Sequence, residues 1–263
     1  MIEFNPIGYV KAAQQYKYQQ PRQGEFASNK GRVVLEPGFN FEQALEDLAG
    51  FNKIWLVYVF HQNEGWRPKV DPPVCPDGKK KGVFATRSPY RPNSIGISCV
   101  DLIAVNGREL LMENFDLLDG TPVLDIKPYI SHYDSHPEAS LGWVPQSLPA
   151  DMAISFSPEA ELAAGWIIEN QGPDLFDLAK VQLSVDPLNQ KRKRIKLLEG
   201  GQVELAFRTW RLKFLPGEED LEILSISSGY SVEDLMPGAD DPYGDKDLHR
   251  SFRKRNIPGA DAS

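Results

Sequence analysis

The chain has 263 residues, 41% hydrophobic and 25% charged, enough to bury one large core or a main domain with a smaller companion, and this excludes wholesale disorder. Its longest apolar run, 54–60, has strand length and falls far short of the roughly 20 residues a membrane helix needs, so no membrane is expected. The net charge of −8 argues against nucleic acid as a partner of the whole surface, yet it hides a segregation: 186–214 carries eight Lys/Arg against three acids, and 217–247 carries ten acids against one Lys.

Residues 1–140 read as mainly β, with short strands separated by Pro/Gly-rich turns. Strands are predicted at 7–10 and 31–35, and a helix at 41–48, where Phe41, Leu45 and Leu48 share a face behind Asn40 as N-cap. KIWLVYVFH (53–61) is almost continuously apolar and is predicted to be a strand buried on both faces. A loop over 68–81 leads to strands at 82–86 and 95–105, an Asn106-Gly107 hairpin turn, a return strand at 109–115 and a last strand at 123–130. Many short strands at close spacing imply a barrel or a sandwich. No GxGxxG follows a strand and no Walker loop is present, which removes support for a Rossmann or P-loop site.

Composition shifts near residue 140. PEAELAAGWIIEN (158–170) is predicted to be a helix with Ser157 at the N-cap and Pro158 in the first position, followed by a helix at 174–184. One strand is predicted over 202–214, with 221–227 as its antiparallel neighbour. The expected organisation is a β domain over 1–140, an α+β extension over 141–230 and a loop-rich acidic and basic tail over 231–263. Cys75 and Cys99 are too few for a disulfide framework, and MIEFNPIGYVK lacks the regions of a secretory signal, so a cytoplasmic location is expected.

Several side chains could carry chemistry. Arg87 and Arg91, stiffened by Pro89 and Pro92, could clamp a carboxylate or phosphate, with a surface ion pair as the alternative. In VLDIKPYI (123–130), period two puts Asp125, Lys127 and Tyr129 on the face of Val123, where an acid, a cation and a phenol could serve a proton transfer; a solvated outer face is the bland reading. His132 and His136 have metal-like spacing, but Pro128 and Pro137 flank them and no third nitrogen or sulfur ligand is evident, so no metal is expected. Lys191, Arg192, Lys193 and Arg194, with Lys196, Arg208, Arg211 and Lys213, form a plausible phosphate-binding surface.

The motifs Pro6-Ile-Gly-Tyr9, Pro21-Arg22-Gln23, His61-Gln62, Trp66-Arg67-Pro68, GVFATRS, RPNSIG and DLLDGTPVLDIKPY stand in the order found in the TsaA-like (YaeB, TrmO-type) proteins, which this chain resembles densely over 4–135 and more loosely beyond. The resemblance implies a mainly β fold, a small non-Rossmann antiparallel β-barrel with a smaller C-terminal α+β domain. It also implies a homodimeric, S-adenosyl-L-methionine-dependent methyltransferase of tRNA, acting on the exocyclic amino nitrogen of threonylcarbamoyladenosine at position 37. Carried over residue by residue, the cofactor site comprises Pro21, Arg22, Gln23, His61, Gln62, Arg87, Ile97, Leu118, Asp119, Gly120 and Thr121. Asp125 or Asp119 is the candidate base; Arg91, Lys127, Tyr129 and the basic run are assigned to substrate. Ser94 departs from the proline usual in the family. The alternatives are a methyltransferase of another RNA or small molecule, and a non-catalytic binder of the same ligands.

Overall fold

In the computed structural model, residues 3–14, 29–146, 151–190 and 193–255 are described. The chain divides into two units, Met1–Leu148 and Pro149–Ser263.

The first unit is built on a closed barrel of six strands: β1 (Gly8–Ala12), β2 (Lys30–Leu35), β3 (Lys53–Val59), β6 (Ile95–Asn106), β7 (Glu109–Glu113) and β8 (Pro122–Pro128). Two short strands, β4 (Lys69–Val70) and β5 (Lys81–Gly82), pair separately. Around the barrel the order is β1-β2-β7-β6-β3-β8, every pairing antiparallel, and β8 closes onto β1 through Gly8 and Val123. The expected barrel is therefore present, and closure leaves no unpaired sheet edge among these six strands. Ile54, Leu56, Val100, Leu110 and Met112 point into the lumen with 1% exposure or less. Each contributes roughly 1.5–3 kcal/mol by leaving water.

Four local expectations are corrected. β3 is not buried on both faces: Ile54, Leu56 and Tyr58 are buried, while Lys53, Trp55, Val57 and Val59 are half-buried on the outward face. The helix predicted over 41–48 is a single turn, α1 (Phe41–Ala44), followed by a 3-10 turn at Leu48–Gly50; Asn40 is left-handed and its side chain bonds Gln43 Oε1, so it does not cap. The strand expected at 82–86 stops at Gly82, and Val83–Ala85 forms a 3-10 turn closed by Thr86 N donating to Val83 O. In β8 the pairing with β3 slips between Val57 and Tyr58, so Leu124 is an extra residue. Val123 and Ile126 consequently both pack on the barrel core, and Val123 does not share the face of Asp125.

A one-turn helix α2 (Ser131–Asp134) ends the regular structure of this unit. His132 and His136 therefore share no continuous helix, and no group of three metal-ligating side chains occurs among the described residues.

The second unit has a five-stranded sheet in the order β10-β11-β12-β13-β9, from β9 (Ala153–Phe156), β10 (Ile195–Leu197), β11 (Val203–Phe207), β12 (Trp210–Pro216) and β13 (Asp220–Ser228). Its pairs are antiparallel except β13 with β9. The single strand predicted over 202–214 is a hairpin, turning at Arg208-Thr209 with Phe207 opposite Trp210 and Arg208 at φ 49°. Helices α3 (Pro158–Glu169) and α4 (Leu175–Leu183) form where expected. Ser157 Oγ accepts from Ala160 N at 3.2 Å, and Asp174 Oδ1 accepts from Phe176 N and Asp177 N, each at 3.0 Å.

Residues Lys246–Arg253 form α5, where a loop-rich tail was expected, and Phe252 is fully buried in this unit's core. His249, also fully buried, lies stacked 3.9 Å from Trp210 with Ser228 Oγ at 2.8 Å and Thr209 Oγ1 at 3.0 Å. Burial lowers its pKa to about 4; Asp245 opposes this, and Arg253 and Arg211 add to it. Because the unfolded imidazole titrates near 6.5, the unfolded chain binds the extra proton first as pH falls, and stability drops from pH 6.5 towards pH 4. The melting temperature is expected to fall by about 5 °C over that window and by less in His249→Gln. Equal pH dependence in the two proteins, by calorimetry, would remove His249 as the cause.

Candidate functional site

A cavity of about 1100 Å³ lies over the outward face of β3 and β6 and continues across the barrel rim. Its floor follows from strand alternation: Lys53, Trp55, Val57 and Val59 face outward directly opposite Asp101, Cys99, Ile97 and Ile95. Ile97 keeps 56% of its surface exposed, so the floor is apolar and open to a ligand.

One wall is the segment after the 3-10 turn. Its shape is held by Arg91, whose guanidinium donates to Thr86 O at 2.9 Å and Val83 O at 3.2 Å. Arg91 lines the cavity, but these bonds commit it to the loop, which is a different task from the expected grip on substrate. Arg67 stacks over Tyr90 at 4.4 Å and its amide donates to Tyr90 O, bracing the same wall. Arg87 lines the cavity, is exposed, and makes no hydrogen bond or ion pair among the described residues. His61 and Gln62, just past the end of β3, line it as well.

The other wall is the link from β7 to β8. Thr121 N donates to Leu118 O, and Gly120 at φ 71° takes the left-handed conformation that favours glycine in a tight turn. Leu118 and Thr121 face the cavity; Asp119 and Gly120 do not line it. Asp119 Oδ1 accepts from Ala12 N at 3.1 Å and its amide donates to Gln14 O, so Asp119 ties the turn to β1. Asp125 is also off the cavity lining, ion-paired with Lys127 at 2.9 Å, and Lys127 is exposed. Tyr129 does line the cavity, its ring 5.7 Å from Trp55.

At this end Lys53 pairs with Asp101, which accepts from Asn114 Nδ2 at 2.6 Å. Burial works against the charge on Asp101, but the bonds from Lys53 and Asn114 outweigh it and hold the carboxyl below the usual range.

At the rim lies a group that sequence reasoning missed. Asp116 accepts from Ser98 Oγ at 2.6 Å, and Ser98 Oγ stands 3.2 Å from Tyr58 OH. Since Ser98 spends its proton on Asp116, the phenol donates to Ser98. Burial raises the Asp116 carboxyl, with the Ser98 bond and the charge of Arg87 pulling the other way. Burial and the Asp116 charge together push the Tyr58 phenol well above its ordinary value. The only signal in the sequence was a polar residue at an inward position of each of two apolar strands.

Pro21, Arg22, Gln23, Lys191 and Arg192 lie outside the described residues. In the second unit Lys193 Nζ donates to Val185 O and Asp186 O, Arg211 donates to Arg208 O and Trp210 O, and Arg194 and Lys196 face solvent. Lys196 and Lys213 flank Glu204 across three strands, which dilutes the basic patch.

Residues 9–135 match the model of the tRNA-methyltransferase O N-terminal domain. The tRNA (adenine(37)-N6)-methyltransferase of Escherichia coli K12 is 38% identical over 199 residues, covering 73% of this chain and 84% of that one. A Pyrococcus abyssi protein named as a probable S-adenosyl-L-methionine-binding protein is 38% identical over 149 residues, 56% of this chain and 79% of its own. The crystal structure of TrmO from Pseudomonas aeruginosa superposes with a TM-score of 0.63 at 29% identity, covering 86% of this chain and 98% of that one. With one relative matched over most of its length and the barrel built to the same plan, the chain belongs to the tRNA-methyltransferase O family.

Proposed function

We propose that this chain methylates the exocyclic amino nitrogen of adenosine 37 in tRNA, the base being the threonylcarbamoyl-modified form, with S-adenosyl-L-methionine as donor. The observation that carries the reading is the cavity itself: the matched segment 9–135 contains its whole lining, and its volume of about 1100 Å³ exceeds the span usual for one small ligand. There is room for a donor and a base side by side.

The residues fit such a donor. Arg87 offers an uncommitted guanidinium for a carboxylate or adenine edge, Ile97 and Leu118 give apolar surface, and His61, Gln62 and Thr121 supply polar contacts. When bound, the donor presents an electrophilic methyl group on a sulfonium. The chain's own task is positioning: Arg91 fixes one wall, Asp119 and Gly120 fix the other, and the β3–β6 floor sets the distance between them. Trp55 and Tyr129 offer aromatic faces on which a base could stack. In the second unit the exposed Arg194 and Lys196 are assigned to tRNA phosphates. A homodimer and a cytoplasmic location belong to the same reading and rest on the family alone.

The test is nucleoside mass spectrometry of tRNA from cells lacking the protein. Methylated threonylcarbamoyladenosine should vanish and return with the intact gene. If it persists, the substrate is wrong.

A further inference from the structure

Methyl transfer to an amino nitrogen leaves a proton to be removed, and the cavity has few groups to take it. Among the described lining residues two are carboxylates, Asp101 and Asp116. Asp101 is neutralised by Lys53 and bonded by Asn114. The two acids singled out from sequence are elsewhere: Asp119 holds the Ala12 amide and Asp125 is paired with Lys127 on exposed surface. Of these two, Asp116 combines access to the cavity with no cationic hydrogen-bond partner among the described residues: its side chain accepts from the Ser98 hydroxyl.

Its surroundings suit a proton acceptor. Tyr58 OH and Ser98 Oγ form a chain that ends on one carboxylate oxygen and leaves the other for a second partner. The ionisable groups acting on Asp116 are Tyr58, from β3, and Arg87, from the opposite wall. Leu118 and Thr121, both lining the cavity, follow it within five residues in the chain. The raised carboxyl makes Asp116 a stronger base than an ordinary aspartate.

We propose that Asp116 receives the proton of the acceptor nitrogen during methyl transfer, with Ser98 and Tyr58 as positioning residues that orient its carboxylate; this rests on the function proposed above. The nitrogen lone pair forms the new N–C bond to the methyl carbon. The C–S bond breaks with its electron pair going to sulfur, the N–H proton passes to Asp116, and the resulting acid returns it to water.

The experiment uses the full chain, tRNA bearing threonylcarbamoyladenosine, and single-turnover rates across pH. Asp116→Asn is expected to lower the rate about 100-fold or more while affinities for S-adenosylmethionine and tRNA stay within about threefold of the parent. A rate within about threefold of the parent, or a loss of donor affinity large enough to account for the fall, overturns the assignment. Ser98→Ala removes a bond that favours the carboxylate, so the acidic limb of the rate profile should move to higher pH; an unmoved limb also overturns it. Absence of transfer by the parent protein overturns the function itself and this assignment with it, whereas transfer undiminished in Asp116→Asn overturns the assignment alone.

Discussion

Replacing Arg87 by alanine is expected to weaken S-adenosylmethionine binding by about 10- to 150-fold, equivalent to roughly 1.5–3 kcal/mol for a hydrogen bond to a charged group. The melting temperature should not move, because Arg87 makes no hydrogen bond or ion pair among the described residues and is exposed. This separation of binding from stability distinguishes Arg87 from Arg91, whose guanidinium holds two backbone carbonyls of the wall. Removing Arg91 should cost both properties. The Arg87 charge also favours the ionised form of Asp116, so its loss should raise that carboxyl further. Isothermal titration gives the donor affinity directly. An unchanged dissociation constant would place the donor away from this wall.

The second large effect is expected at Gly96. A Cβ there would lie 2.5 Å from Cε2 and Cζ of Tyr58 and 2.8 Å from its hydroxyl, closer than a buried ring can accommodate without shifting. Gly96→Val should therefore destabilise the barrel by about 2–3 kcal/mol through overpacking, lowering the melting temperature by roughly 5–10 °C. It should also pull Tyr58 from Ser98, so that transfer falls further than the folded fraction does. Gly82→Ala is the control, since no atom lies within 4 Å of a Cβ placed there. Equal melting temperatures for the two variants would mean that the ring has room to move.

Much of the fold is legible in the sequence because its signals are local. The Asn-Gly signal marks the β6–β7 hairpin, whose two turn residues are Gly107, at φ 58°, and Arg108, one position beyond the expected Asn106-Gly107, and Ser157 and Asp174 start their helices through bonds to amides two and three residues ahead. The hairpin at Arg208-Thr209 is hidden for the converse reason: Arg208 takes a left-handed conformation without the Gly or Asn that usually marks it. The 3-10 turn at Val83–Ala85 is hidden too, because GVFAT has strand composition, yet Thr86 N donates back to Val83 O and closes the turn.

The site divides along the same line. Arg87 and the Leu118–Thr121 turn stand out because proline and glycine punctuate them. Asp116 does not, because its importance depends on barrel closure bringing Tyr58, Ser98 and Asp116 together from three segments. Asp125 stands out in the sequence through the alternation of 123–130 and the Asp119-Gly120-Thr121-Pro122 turn before it. The extra residue Leu124 breaks that rhythm between Val123 and Asp125, while Asp125 and Lys127, two apart on one face, pair with each other off the cavity lining.

Cys99 sits on the cavity floor opposite Trp55, while Cys75, the chain's other cysteine, lies on a separate loop beside Asp77. Neither forms a disulfide. Placement alone thus equips the molecule with an internal gauge of occupancy: a maleimide should label both sulfurs of the bare protein, and saturating donor should shield the floor sulfur while sparing the loop one. Peptide mapping after brief labelling would then track filling of the groove with no radioactive methyl group and no turnover.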